Sequence, residues 1–544
     1  MIDARDGGVY ASSLGPYAYR PVELLERLGI LPRGGGLPGA GAPPEDPDRL
    51  AVLLDSAGGN PRLARRSLVA WAPRTHLWAK DGRVVVSRRD GGGAWTRVES
   101  SGDPFPLLRA MLAEHARAVR WVGPAVDDLE WVGAYGLFTY DAGRYIEVLP
   151  DSTVDDLRIP DVDLIFPSRL VCFDHEHDRV VAVGDSPAAL DDIAETLSLA
   201  ARAPRVELDL SVEGHSREES LKTGSNVTRA EYEEVVARTR EYVWAGDLFQ
   251  ANLSQRLHLE YQGESALLYR VLRTVNPSPF AGYLRLSGYE LHSSSPERLV
   301  RLRGRVADAR PIAGTRRRGR DFDEDGLLAD NLHLDPKERA EHIMLVDLER
   351  NDLGRVCEYG TVHVDELMVT ERYSHVIHIV SNVTGTLREG TDAVDLLRAM
   401  FPGGTITGCP KVRCMEIIDE LETVRRGPYT GSFGFLGYGG NMDTNIVIRT
   451  LVRVGDALYA QAGGGIVADS VPPREYLETL SKAEAMVRAA LQARRLTEQG
   501  AAESGAESAG AAEIGAEEMS VAEIGAAEIG AAGSGRVSPA EPSS

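Results

Sequence analysis

The chain is poor in what several functional classes require. It has four cysteines in 544 residues (Cys172, Cys357, Cys409 and Cys414). That is too few for a disulfide framework and points to a reducing compartment, the cytoplasm. Cys409 and Cys414 lack the two further nearby ligands that a zinc site needs. Basic charge is in deficit: 60 Lys and Arg face 82 Asp and Glu, a formal net charge of −22. Such a balance argues against a nucleic-acid surface. Part of the deficit is local, because nine Glu and one Arg in residues 498–544 account for −8 and leave −14 for residues 1–497. No run of eighteen apolar residues occurs, so no membrane-spanning helix is expected. The N-terminus has no basic region followed by an apolar stretch, so no signal peptide is expected. A P-loop is also missing, since Cys409 and Pro410 separate Gly408 from Lys411 where Gly-Lys-Ser/Thr is required.

What is present is globular: 43% hydrophobic residues in a chain long enough for two or more domains. Residues 1–50, rich in Gly and Pro, read as a flexible leader. Residues 51–203 alternate strand and helix patterns. Residues 204–226 are polar and without period, and read as a linker. Residues 227–493 form a second region, opened by the capping box Thr228-Arg-Ala-Glu231. Within it, strands are expected over 373–383 and 444–452, and helices over 411–421 and 473–493. After residue 497 the Ala/Glu/Gly-rich sequence repeats Ala-Glu-Ile-Gly at 512, 522 and 527 and has too little apolar surface to offset ordering, so a disordered tail is expected.

Several constellations could carry chemistry. Glu338 with Glu341, and Glu475 with Glu478, are spaced three apart in the first turns of two expected helices, which puts each pair on one helical face. Two such faces turned together make an oxygen-rich cage for a hard cation such as magnesium. The alternative is dipole and capping preference at helix N-termini, or, for Glu478 and Lys482, an ordinary i,i+4 ion pair. His375 and His378 sit three apart on an expected strand and so face opposite sides, which turns one inward, either for structure or for catalysis. Arg449 is a charge inside an apolar strand pattern and needs an anionic partner, either an internal carboxylate or a bound one. Gly463, Gly464 and Gly465 follow a strand end and either present amides to an anion or merely turn. Tyr429 either donates a hydroxyl or packs. The loop 402–410, entering the helix after Pro410, lets backbone amides approach an anion.

Five motifs together resemble the chorismate-utilising enzymes, most of all component I of anthranilate synthase, with component I of 4-amino-4-deoxychorismate synthase as the sister. They are Pro311-Ile-Ala-Gly-Thr-Arg316, Glu341-His-Ile-Met-Leu-Val-Asp-Leu-Glu-Arg-Asn-Asp352, Arg372-Tyr-Ser-His-Val-Ile-His378, Gly404-Thr-Ile-Thr-Gly-Cys-Pro-Lys-Val-Arg413 and Gln461-Ala-Gly-Gly-Gly-Ile-Val-Ala-Asp-Ser470. The resemblance implies an α+β fold, an α/β sandwich of large, mostly antiparallel sheets wrapped by helices. It implies Mg2+ between the glutamate pairs, with Glu341 and Glu478 the leading ligands, holding the ring carboxylate of chorismate. It further implies that Tyr429, Arg449, Lys482 and the Gly463–Gly465 amides hold the substrate's carboxylates. Glu297, in Ser295-Pro-Glu-Arg298, aligns with the general acid for the departing C4 hydroxyl. His378 assists, and Thr315, with Ala313 and Gly314 beside it, lines the site.

Two positions discriminate within that family. Water-adding relatives carry a lysine base where this chain has Gln250, which favours amination by ammonia. Enzymes that aminate C4 often carry a nucleophilic Lys at the third position of Pro-Ile-x-Gly-Thr; Ala313 cannot attack, which favours C2. The wording Thr405-Ile-Thr-Gly-Cys-Pro410 pulls the other way, since Gly-Ala-Pro-Lys is commoner in anthranilate synthase. In relatives inhibited by tryptophan an effector site uses Leu-Leu-Glu-Ser and Asn-Pro-Ser-Pro-Tyr-Met. The corresponding residues here are Leu53-Leu-Asp-Ser56 and Asn276-Pro-Ser-Pro-Phe-Ala281, so Ser56, Pro279 and Phe280 are the candidate effector contacts, with less packing surface for an indole. No cysteine has the Gly-x-Cys-x-Gly context of a glutaminase nucleophile, so a separate glutamine amidotransferase subunit is the expected ammonia source.

Overall fold

The computed structural model describes residues 8–13, 21–30, 41–44, 46–56, 58, 63–118, 120–122, 129–202, 224–372 and 376–499. Two long strands, Arg66–Lys80 and Val162–Asp174, organise it. They pair with each other along their whole length, with a register shift between Pro73 and Thr75. Ala72 sits there at φ +49°. A bulge of this kind bends a strand and raises its local twist, so each strand leaves one sheet and enters another.

The first sheet runs outward from the Arg66 half. Its order is Ala51–Asp55, Phe280–Arg285, Glu290–Ser295, Thr450–Val454, Ala457–Ile466 and Gln250–Glu260 on one side. Arg179–Gly184 and Gly8–Ser13 complete the other side. The second sheet carries Arg83–Arg89 and Trp95–Ser101 on one flank. Its other flank runs Gly133–Phe138, Ser432–Gly437, Met442–Asn445, Arg298–Arg303, Val306–Ala309 and Val376–Thr386. All these pairings are antiparallel. Helices wrap both sheets, and the largest core lies where Leu164, Phe166, Phe138, Leu302 and Leu436 meet Phe105, Leu108 and Leu397. This is the expected α+β sandwich.

The expected domain plan needs correction. Residues 1–50 are not wholly a leader. Gly8–Ser13 pairs with Arg179–Gly184, and the helix Pro21–Arg27 buries Val22, Leu24 and Leu25. Apolar positions spaced for one helical face outweighed the surrounding Gly and Pro. Residues 51–203 and 227–493 are not separate bodies: Ala51–Asp55 pairs with Phe280–Arg285, and Gly133–Phe138 with Ser432–Gly437. Residues Met1–Leu491 form one compact unit. Of the expected linker, 203–223 lie outside the described residues, and Gly224–Ser225 forms a short strand. The second unit is Gln492–Ser544; its described residues, 492–499, are helical, and the expected disordered tail otherwise lies outside the described residues.

Local signals placed several elements closely. Thr228 and Glu231 make both bonds of the capping box, and Gly246 closes that helix at φ +84°. Asp335 caps the helix Pro336–Gly354 by accepting from the Lys337 and Glu338 amides. The expected strand 444–452 is broken in two, Met442–Asn445 and Thr450–Val454, because Arg449 between them stands at φ +53°. Among the described residues no helix is long and apolar enough to cross a membrane.

Candidate active site

The floor of the site is the ladder between Gln250–Glu260 and Ala457–Ile466, in which Asn252 faces Gly465, Leu253 faces Gly464 and Ser254 faces Gly463. The three glycines therefore lie inside a strand, not in a turn beyond one. Their lack of side chains is a close-approach requirement. A Cβ on Gly465 would stand 2.2 Å from Gln250 Nε2, and one on Gly463 would stand 2.6 Å from Asn252 Oδ1. One on Gly464 would meet Glu475 Oε2 at 3.4 Å. The loop 402–410 closes the other edge: Gly408–Cys409 pairs with Gln250–Ala251. Gly408, at φ +127°, could not carry a Cβ, which would stand 2.1 Å from the Gln250 carbonyl oxygen.

The two glutamate pairs reach this floor from two helices. Glu341 accepts from Gln250 Nε2 at 3.5 Å. Burial, then the neighbouring Glu338 charge, raises its carboxyl above the ordinary range, and Lys482 opposes the rise. Glu475 is raised by burial and by Glu478, again against Lys482. Lys482 thus lies in the field of both helices' carboxylates. Glu338 is paired with Arg316 at 2.9 Å and Glu478 with Lys482 at 2.8 Å, so the i,i+4 ion pair does form. Among the described residues no three His, Cys, Asp or Glu side chains already converge on a metal-sized point. The donor chemistry nevertheless fits a hard divalent cation: within each pair the carboxylates lie close enough to act on one another, and all the donors are oxygens.

The strand Ile312–Arg317 ties the acid side of the site together. The Ile312 amide and the Thr405 hydroxyl, at 2.9 Å, bond the carboxyl of Glu297. Burial nevertheless pushes that carboxyl up to about 7. One residue on from Ala313, which is buried, Gly314 (φ +67°) passes so close to Glu338 that a Cβ would lie 3.0 Å from Oε2. Its carbonyl lies 3.2 Å from His378 Nδ1. His378 pairs across the ladder with Thr315, and burial lowers its imidazole. Thr315 is placed by its backbone alone, and His375 lies outside the described residues.

Cationic and hydroxyl groups stand along the opposite side. Lys482 Nζ donates to the Gly463 carbonyl at 3.0 Å, and the Tyr429 hydroxyl lies against Gly463. Arg449 donates to the Lys482 carbonyl at 2.9 Å. It forms no internal ion pair among the described residues, so the expected alternative of an internal salt bridge is not the one found. Burial pulls its guanidinium below the ordinary range. A half-buried cation whose hydrogen bond among the described residues goes to a carbonyl suits a carboxylate ligand, which would complete its bonding bidentately.

Ser56, Pro279 and Phe280 are brought together, but in a different cavity, lined also by Trp131, Arg298 and Asn445. Arg298 lies over the Phe280 ring, 4.8 Å to its centroid. The Ser56 hydroxyl already donates to the Arg66 carbonyl at 2.7 Å.

Two residues escaped the sequence reading. Glu349 is buried, and burial with the Asp352 charge pushes its carboxyl well up, with Glu297 adding to the rise. It occupies the buried face of its helix with His342, Leu345, Val346 and Leu353; a charge on an apolar face is a signal the spacing contained. Asn252 is buried, two residues from Gln250 on the same strand face.

Comparison with known proteins places the chain in a family. The sequence pattern of the family described as chorismate binding enzyme matches residues 51–488. The chain is 38% identical over 452 residues to anthranilate synthase component 1 of Acetivibrio thermocellus, covering 81% of this chain and 90% of the relative. It is 41% identical over 440 residues to aminodeoxychorismate synthase component 1 of Bacillus subtilis (strain 168), covering 80% and 91%. The crystal structure of anthranilate synthase component I from Streptococcus pneumoniae TIGR4 superposes with a TM-score of 0.66 at 32% identity, covering 78% of this chain and 92% of that one. With residues 51–488 matched by the family pattern and most of the chain aligned with these relatives, this protein belongs to the chorismate binding enzyme family.

Proposed function

We propose that the chain is the aminating subunit of an anthranilate synthase. Chorismate and ammonia give 2-amino-2-deoxyisochorismate and water; that intermediate then breaks into anthranilate and pyruvate. The observation that carries this reading is Glu297. A buried carboxyl that keeps its proton to about 7 can deliver it to the hydroxyl leaving C4 at neutral pH. Arg449, Lys482, Tyr429 and the Gly463–Gly465 strand hold the two carboxylates of the substrate, and His378 borders the ring. Gln250, a neutral amide, provides no base, and ammonia needs none. Ala313 provides no nucleophile for a covalent route to C4.

Glu341 and Glu478, supported by Glu338 and Glu475, would hold Mg2+. A bound cation supplies neutralisation of the carboxylates and an anchor for the ring carboxylate. Because no cysteine stands in a glutaminase context, ammonia would come from a separate glutamine amidotransferase subunit. The four cysteines, none of them in a disulfide among the described residues, suit a cytoplasmic enzyme.

The assay is direct: purified chain, chorismate, a magnesium salt and an ammonium salt should develop anthranilate fluorescence. A product that needs a separate lyase to become 4-aminobenzoate would replace this reading by C4 amination. The 41% identical aminodeoxychorismate synthase component 1 and the Thr405–Pro410 wording favour that second reading. Accumulated 2-amino-2-deoxyisochorismate would mean that the lyase step is missing.

A further inference from the structure

Five hydrogen bonds leave one buried cation, Arg426. Its side chain is 1% exposed, and that of its ion-pair partner Glu422 is 5% exposed. Arg426 Nε and Nη2 donate to the two Glu422 carboxylate oxygens at 3.0 and 2.7 Å. Nη2 also donates to the Asn252 carbonyl. Nη1 donates to the Ile406 carbonyl at 3.2 Å and to the Thr430 hydroxyl at 3.3 Å. A guanidinium has five N–H donors in one planar fork, and here all five are used. The bonds reach three walls of the candidate site: the strand Gln250–Glu260, the loop 402–410 and the turn that carries Tyr429. The Thr430 hydroxyl in turn donates to the Tyr429 carbonyl at 2.6 Å, and the Tyr429 amide donates to the Arg426 carbonyl at 3.2 Å. The guanidinium lies 5.5 Å from the centroid of the Tyr429 ring and 4.9 Å from that of Tyr140, which belongs to the N-terminal region. That region also grips the turn directly: the Tyr140 amide donates to the Gly427 carbonyl at 2.8 Å, and the Gly427 amide donates to the Asp141 carboxylate at 3.0 Å. Thr430 stands at φ +62°. A β-branched residue seldom adopts this conformation, which persists only where the surroundings over-determine it. Two of its restraints are the Arg426 bond to its hydroxyl and the bond from its amide to the Val447 carbonyl at 2.8 Å.

We infer that Arg426 is a positioning residue for the substrate: through Thr430 and the Tyr429 ring it holds the Tyr429 hydroxyl against the Gly463–Gly465 strand, where a substrate carboxylate would be bound. This rests on chorismate as the substrate, not on which ring carbon is aminated. Arg426 is no anchor itself, because Glu422 already neutralises it and its donors are spent inside the protein. Its part is to fix the backbone on both sides of Tyr429. The strained Thr430 directly follows that tyrosine, so whatever holds Thr430 in the left-handed region also sets where the phenol points. Lysine cannot take over this task. An ammonium has three donors and no planar fork, so at least two of the five bonds would be lost. The turn is then free to relax and to carry the hydroxyl away from Gly463. Tyr140, stacked near the same cation, gives the N-terminal region a share in the substrate site.

The test is a double-mutant cycle on the full chain, read as the KM for chorismate with magnesium and ammonium salts saturating. Tyr429→Phe removes the hydroxyl and should raise that KM about tenfold, the size of one hydrogen bond to a charged group. Arg426→Lys should raise it by about the same factor, with the KM for ammonium chloride kept within about twofold. Joined in one chain, the two substitutions should raise the KM for chorismate no further than either alone, because both remove the same contact. Factors that multiply to about a hundredfold show independent actions and overturn the positioning role. An unchanged KM in Arg426→Lys, with only a lower unfolding midpoint, overturns it too, since that is what a support of the fold alone would give. Should Arg426→Lys not fold, Thr430→Ala takes its place in the cycle with the same expectation; it keeps the guanidinium and its Glu422 partner but removes the hydroxyl between Arg426 and Tyr429. A wild-type chain that turns over no chorismate overturns the substrate reading itself. Wild-type turnover with multiplying factors removes only the role of Arg426.

Discussion

Glu297 gains its chemistry from where it is buried rather than from what it is. Its two hydrogen-bond partners, Thr405 and the Ile312 amide, favour the charged form, yet burial outweighs them and lifts the carboxyl from 4.5 to about 7. Activity that depends on this proton should fall as pH rises through about 7. The sign for stability is the same: folded Glu297 holds its proton more tightly than unfolded Glu297. Its favourable contribution is therefore present below the ordinary 4.5 and lost as pH climbs through about 7. Glu297→Gln should lower kcat by about 100- to 10,000-fold and remove that alkaline limb, read from a pH–rate profile. Glu341 makes a second residue-level case. Glu341→Gln should abolish magnesium-dependent turnover with the unfolding midpoint essentially unchanged; undiminished turnover would refute its assignment as a ligand. The candidate acid was legible in the sequence only through the resemblance of Ser295-Pro-Glu-Arg298. Its raised carboxyl was not, because burial at that point comes from segments more than a hundred residues away, the 402–410 loop among them.

At the scale of elements, end signals were the most readable part of the chain. A capping box satisfies helix-end donors within four residues, so it needs no tertiary information. The helix Arg229–Ala245 carries both bonds of it. Thr228→Ala should cost about 1 kcal/mol of stability, measured by urea denaturation, with no change in the KM for chorismate. Long bent strands were the least readable. Arg66–Lys80 shows neither clean alternation nor one apolar run, because its halves belong to different sheets and nearly every residue of both is buried, polar ones such as Ser67, Thr75 and His76 included. Val162–Asp174 reads as two strands for the same reason. The glycine stretch 463–465 looks like a turn in sequence. It is a strand because Gln250, Asn252 and Tyr429 fill the space that side chains would have taken.

At the scale of the molecule, the chain to Leu491 is one body that passes back and forth between the two sheets. Residues 227–493, which carry every proposed catalytic group, cannot bury their sheets alone. Strands Phe280–Arg285 and Ser432–Gly437 would each lose a neighbour, Ala51–Asp55 and Gly133–Phe138 respectively. Expressed without residues 1–226, that segment should be insoluble or should unfold without a cooperative transition; a sharp calorimetric transition from the fragment would contradict this. The second cavity, at Ser56, Pro279 and Phe280, is built across the same seam, from residues of both regions.

By itself the sequence determined the chemistry available: carboxylate pairs at helical spacing, a glutamine in place of a base, glycines where backbone must come close, and helix ends marked by caps. Those are local facts, governed by spacing of three or four residues and by the steric freedom of single positions. Only the tertiary structure decided which of these groups share a site. It put Glu341 beside Gln250, turned Arg449 to the Lys482 carbonyl instead of a carboxylate, buried Glu297 deeply enough to keep its proton, and closed three segments around Arg426. Those outcomes depend on desolvation and on contacts between distant segments, which no short stretch of sequence carries.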